Sequence, residues 1–304
     1  MTLACPTRRG VMTGAACVGL LLASGGLRAE TASARARVHD WLLRRPDMSF
    51  HDQAAFGEQL ERSLFARAGG AYPNNFVQTA ITEFVQPFFA ASARPSLPWK
   101  ATVIDNDMPG AWILPGGRLA LYKGLIRYID TADELAAVVA HCMGHAENGH
   151  LDQMMREPAF AERLGPREVA AILSRLDGES GASPLDPVIA RALESAVFDT
   201  VRAGYGPQRE ADADAAIARL FAVTGHDVAR GASIFVSVAS LAPAQARRTT
   251  CLFLGHDQTD ARVSALRASA SGTGEWPANP GFDSLKLAFP TRRHYRPTPE
   301  GGTP

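Results

Sequence analysis

The stretch that most restricts this chain is 131–150, which reads as a helix with His141 and His145 four residues apart. Thr131 and Glu134 have the spacing of a capping box, which gives the helix a start signal. Leu135, Val138 and Val139 then form an apolar stripe that continues to Ala146. Residues at i and i+4 lie about 40° apart around a helix, so both imidazoles leave one face. That is the geometry with which two histidines share one zinc ion. Helices of this kind usually carry a Glu after the first His, as the general base of hydrolysis. Here that position is Cys142.

A catalytic zinc takes three protein ligands and keeps a fourth position open. The best candidate for the third ligand is Glu210, at the start of a predicted helix over 208–224 that Gly225 ends. Asp214 lies one turn further on the same face. It could accept a hydrogen bond from a ligand histidine and fix its tautomer. Taken alone, the run 209–214 reads better as an acidic helix start complementing the helix dipole.

The rest of the chain is helix-rich with one small sheet. Residues 35–95 read as helical around a break at Gly69 and Gly70, with a second helix from about 74 to 91. Its Phe76, Ile81, Phe84, Val85 and Phe88 have the spacing of a core face. Strands are predicted at 99–104, 111–114 and 119–122, the last two around Pro115, Gly116 and Gly117. Helical stretches follow near 151–180, 186–204, 228–241 and 260–270. Residues 271–304, rich in Gly, Pro and Arg, read as a loosely ordered tail.

Residues 1–34 have a different character. Arg8 and Arg9 precede an apolar run from Val11 to Leu22, and small residues close at Ala32, Ser33 and Ala34. This is the pattern of a secretory signal peptide, and the two arginines suit either a twin-arginine or an ordinary Sec leader. It predicts an exported protein of the periplasm or cell envelope. Of four cysteines, only Cys142 and Cys251 would remain after cleavage. The apolar run is short for a membrane span. A formal net charge of +0 over 304 residues gives no footing for nucleic-acid binding.

From about Phe84 to Leu266 the chain resembles the zinc metalloproteases of the CAAX prenyl endopeptidase and HtpX type, including their soluble periplasmic members. The resemblance rests on Leu114 to Gly117, Glu134 to His145, His150, and the pair Glu210 and Asp214, in that order. It implies an α+β, mostly helical fold: a zincin-like (gluzincin-like) core over 35–270, with a small sheet or hairpin packed on the zinc helix. It implies one zinc ion held by His141, His145 and Glu210, with Asp214 behind them. It also implies that His256 stabilises the transition state and that Arg262 supports it. Ala111, Trp112, Ile113 and Leu114 would pair with an extended or unfolded polypeptide by strand addition; the other reading is a hairpin that serves only the core.

Two departures from the family pattern bear on activity. Cys142 replaces the Glu that relays a proton to the leaving amine, and Gly110 replaces an Asn that helps hold substrate. Losing a positioned general base costs about two to four orders of magnitude. A thiol is a poor substitute, although one beside a metal ionises more easily. Glu147 lies about 240° around the helix from His141, and Glu134 about 10 Å along it, so neither is an obvious replacement. Three readings follow. One is an impaired zinc metalloendopeptidase acting on misfolded envelope proteins. The second is an inactive pseudopeptidase that binds peptides or partners, as a chaperone does. In the third, a disulfide between Cys142 and Cys251 locks the site. His150, nine residues after His141, reads as structural on the far side of the helix.

Overall fold

The computed structural model describes residues 31–178, 182–239, 260–268 and 279–291. Cys251, His256 and residues 1–30 of the predicted leader lie outside them. Residues 31–34, which the sequence assigns to that leader, belong to the first described helix, α1, over 31–44.

The fold is mostly helical around one three-stranded sheet, as the sequence predicts. Helices α2 (Phe50–Arg67) and α3 (Asn75–Ala90) precede strands β1 (Lys100–Ile104), β2 (Ala111–Leu114) and β3 (Arg118–Tyr122). The strand order is β1-β3-β2, with β1 parallel and β2 antiparallel to β3. Alternate residues face opposite ways. Val103, Ile113, Leu119 and Leu121 point into a core shared with the helix that carries His141 and His145. Ile104, Trp112, Leu114, Ala120 and Tyr122 point into a second core built largely on α1, α2 and helices that follow the sheet. Gly116 and Gly117 turn β2 into β3 with φ of 73° and 74°, a region that favours glycine.

After α4 (Lys123–Tyr128) comes the histidine helix α5 (Ala132–Glu147), capped as its sequence predicts. The Thr131 hydroxyl accepts from the Glu134 amide at 3.2 Å, and the Glu134 carboxylate returns to the amides of Thr131 and Asp130. The sequence predicts a one-sided apolar stripe, yet every residue from Asp133 to Glu147 is buried. The helix runs through the middle of the molecule, and its small residues admit neighbours at close range.

The long helical stretch predicted near 151–180 is three helices: α6 (His150–Met155), α7 (Pro158–Glu162) and α8 (Pro166–Gly178). Pro158 and Pro166 mark the breaks, since proline suits a helix's first position and not its interior. Then follow α9 (Pro187–Ala203), α10 (Pro207–Thr224), α11 (Val228–Gly231), α12 (Ser233–Ala239) and α13 (Asp260–Ala268).

Part of the stretch read as a loose tail is corrected by the last of the described helices, α14 (Pro280–Ala288), docked on α3. Asn279 caps it, accepting from the Phe282 amide at 3.2 Å. Phe282, Leu285 and Phe289 are buried, and Gly281 lies so near α3 that a Cβ there would come 2.6 Å from the Ala80 carbonyl oxygen. Lys286 Nζ donates to the carbonyls of Ile126 and Ile129. Among the described residues, no helix is long and apolar enough to cross a membrane.

Candidate metal centre

Helix α10 lies along α5 at the point where His141 and His145 sit. A Cβ on Gly144 would come 2.6 Å from the Ala213 carbonyl oxygen, so the two backbones touch there. This contact faces Glu210 and Asp214 toward His141 and His145. One atom from each of His141, His145 and Glu210 lies within 4.8 Å of the others, and all three residues are buried. The two Nε2 atoms are 3.1 Å apart, and Glu210 Oε2 is 3.3 Å from His141 Nε2.

The arrangement fits zinc. Ligands about 2.0 Å from a tetrahedral ion stand roughly 3.3 Å from one another. The outer nitrogens are also engaged. His141 Nδ1 lies 2.9 Å from Asp214 Oδ1, and with a proton it donates to that carboxylate. His145 Nδ1 lies 2.8 Å from His150 Nδ1. Burial first, and Arg209 next, hold His150 down at about 4, so its ring is neutral at pH 7 and, in the tautomer with a bare Nδ1, accepts a proton from His145 Nδ1. With both Nδ1 atoms protonated, the two Nε2 atoms and a Glu210 oxygen would be three converging acceptors, a donor set suited to a cation.

The sequence placed His150 on the far side of a continuing helix, and the structure corrects this. Gly149 takes a left-handed conformation, φ 65° and ψ 33°, which turns the chain before α6 and returns the His150 ring to His145. Tyr205 was not singled out from the sequence. Its ring stacks on His145 with centroids 4.0 Å apart, and its amide donates to Glu210 Oε1 at 3.2 Å. Burial, then Cys142 and Glu210, push the Tyr205 phenol far above its usual range. The glycines on either side of it are the only local sequence signal.

Cys142 is buried, and its sulfur does not join the three converging ligand atoms. Gly110 is packed by sterics: a Cβ there would come 2.7 Å from the Tyr122 ring, so an Asn would displace that ring. Ala111, Trp112, Ile113 and Leu114 form the outer strand of the sheet, and all four are buried. Arg262 lies on α13, and its side chain is outside the described residues.

A buried two-histidine, one-carboxylate centre between a helix pair and a small sheet defines a metallopeptidase-type fold. Residues 75–270 match the model of Peptidase family M48, and the chain belongs to that family of zinc-dependent metallopeptidases. It is 26% identical over 170 residues to the Beta-barrel assembly-enhancing protease of Yersinia pestis, across 54% of this chain and 33% of that protein. It is 25% identical over 134 residues to the Mitochondrial metalloendopeptidase OMA1 of Schizosaccharomyces pombe, across 43% of this chain and 40% of that one. The matched part thus spans well under half of either relative.

Proposed function

We propose that this chain is a zinc-binding metallopeptidase-like protein of the cell envelope, of the CAAX prenyl endopeptidase and HtpX type. It binds extended or unfolded polypeptides and hydrolyses them slowly at best. The ligands are His141, His145 and Glu210. Asp214 and His150 fix the tautomers of the two imidazoles, and an extended peptide adds to the outer edge of Ala111 to Leu114. Bound zinc would supply Lewis acidity toward a peptide carbonyl.

The observation that carries the reading is a complete donor set on α5 and α10 while, among the described residues, both glutamates of α5 are engaged elsewhere. Glu147 accepts from the Ser92 hydroxyl, the Ala93 amide and Arg219, away from the centre. Glu134 is held by the amides of Asp130 and Thr131 and by the Ser233 hydroxyl. Proton transfer to a leaving amine therefore falls to Cys142 or to none of the residues on α5. The wholly inactive form of this protein, a peptide-binding pseudopeptidase, is the limiting case of the same reading.

The test compares casein or peptide cleavage by the wild-type protein, Cys142→Glu and Cys142→Ala, each with zinc content measured. Cleavage gained in the Glu variant supports the reading. Strong wild-type cleavage that survives in Cys142→Ala would sink it, because the base would then lie elsewhere. Wild-type cleavage lost in Cys142→Ala would assign the proton transfer to the thiol.

A further inference from the structure

We infer that Tyr205 is a positioning residue of the metal centre, holding one histidine ligand and the carboxylate ligand at once. The inference rests on the zinc reading above. The Tyr205 ring lies nearly parallel to His145, at 24° and 4.0 Å between centroids. His145 then has little freedom to rotate about its ring bond, because His150 fixes its Nδ1 and the tyrosine covers its face. The same residue's amide donates to Glu210 Oε1, which leaves Oε2 facing His141 Nε2 at 3.3 Å. One residue therefore holds one carboxylate oxygen by its amide, 3.8 Å from His145 Nε2, while the other oxygen faces His141.

The backbone around Tyr205 is built for this task. Gly204 has φ 82° and ψ 171°, and Gly206 has φ 82° and ψ 160°, both costly for any residue with a side chain. A Cβ at Gly206 would meet nothing within 4 Å, so conformation, not space, demands glycine there. That conformation delivers the Tyr205 amide to Glu210, one turn into α10, and its ring to His145. Chain direction, hydrogen bond and stack come from the three residues between α9 and α10.

The experiment uses the full chain and four proteins: wild type, Tyr205→Phe, Tyr205→Leu and Gly206→Ala. Zinc and cobalt(II) affinities are measured by competition with a chelator, with the visible spectrum of the cobalt form and the melting of the metal-free form. Tyr205→Phe keeps stack and amide, so it loses less affinity than Tyr205→Leu. Tyr205→Leu fills the core without the stack, and binds metal about ten- to a hundredfold more weakly with an altered cobalt spectrum. Gly206→Ala weakens binding in the same direction with no clash to blame. If Tyr205→Leu melts lower yet keeps wild-type affinity and spectrum, Tyr205 is only core and the inference fails. A wild-type protein that takes up neither ion instead overturns the metal reading itself, and this inference with it.

Discussion

Gly144 of α5 and Ala213 of α10 meet backbone to backbone, with room for no Cβ: one built on Gly144 would come 2.7 Å from the Ala213 Cα. Their contact sets the distance between the histidine pair and Glu210. Gly144→Ala must push α10 outward, since neither neighbour is a flexible side chain. Overpacking of this kind costs about 1–3 kcal/mol. Alanine's better helix propensity offsets only about 1 kcal/mol of that. We expect a lower melting temperature together with weaker zinc retention on dialysis. A variant that melts lower but holds zinc as well as wild type would separate packing from ligand placement.

His141 and His145 each hand their outer nitrogen to a different partner, Asp214 and His150. Removing such a partner typically costs about 10–100-fold in metal affinity, because the ligand loses its tautomer and orientation. Asp214→Asn and His150→Phe should each weaken zinc binding by that order, while His141→Ala abolishes it. Competition titration against a chromophoric chelator reads all three. Unchanged affinity in His150→Phe would leave His150 with a packing role only.

Much of the site was legible because it is written in local spacing. The cap at Thr131 and Glu134 and the i, i+4 histidines depend on helix geometry alone, whereas Glu210 and Asp214 read alone as an acidic helix start and stood out only through the family resemblance. His150 was misplaced because a single glycine, Gly149, reverses the chain, and helical arithmetic cannot see a left-handed residue. Tyr205 stayed hidden because it stands between glycines in a connection with no period to read. The all-round burial of α5 was missed for a different reason. Alanines and Gly144 mark close approach, and an apolar stripe marks only one face.

The C-terminal helix shows how composition can mislead. Gly, Pro and Arg suggested loose order, yet Asn279 and Pro280 start a helix whose Phe282, Leu285 and Phe289 face α3 and α4. Leu285 is fully buried, so Leu285→Ala should cost about 2–5 kcal/mol through lost transfer energy and a residual cavity. Thermal unfolding measures this directly. An unchanged melting temperature would mean that α14 does not dock in solution.

Lys286 gives the dock a pH dependence with a definite sign. Burial, opposed only by Glu134, lowers its amine to about 8 from 10.5. The folded chain therefore binds fewer protons than the unfolded chain between those values, and stability rises with pH across that window. Below about pH 8 the charged amine carries its full desolvation cost, eased by the carbonyls of Ile126 and Ile129. Lys286→Met removes the titration but leaves those carbonyls without their donor. The wild type minus Lys286→Met difference in denaturation midpoint should therefore grow as pH goes from 8 to 10.5, with other titrating groups cancelling. A flat difference over that range would show that the Lys286 amine titrates as it does in water, and a shrinking one that folding raises it.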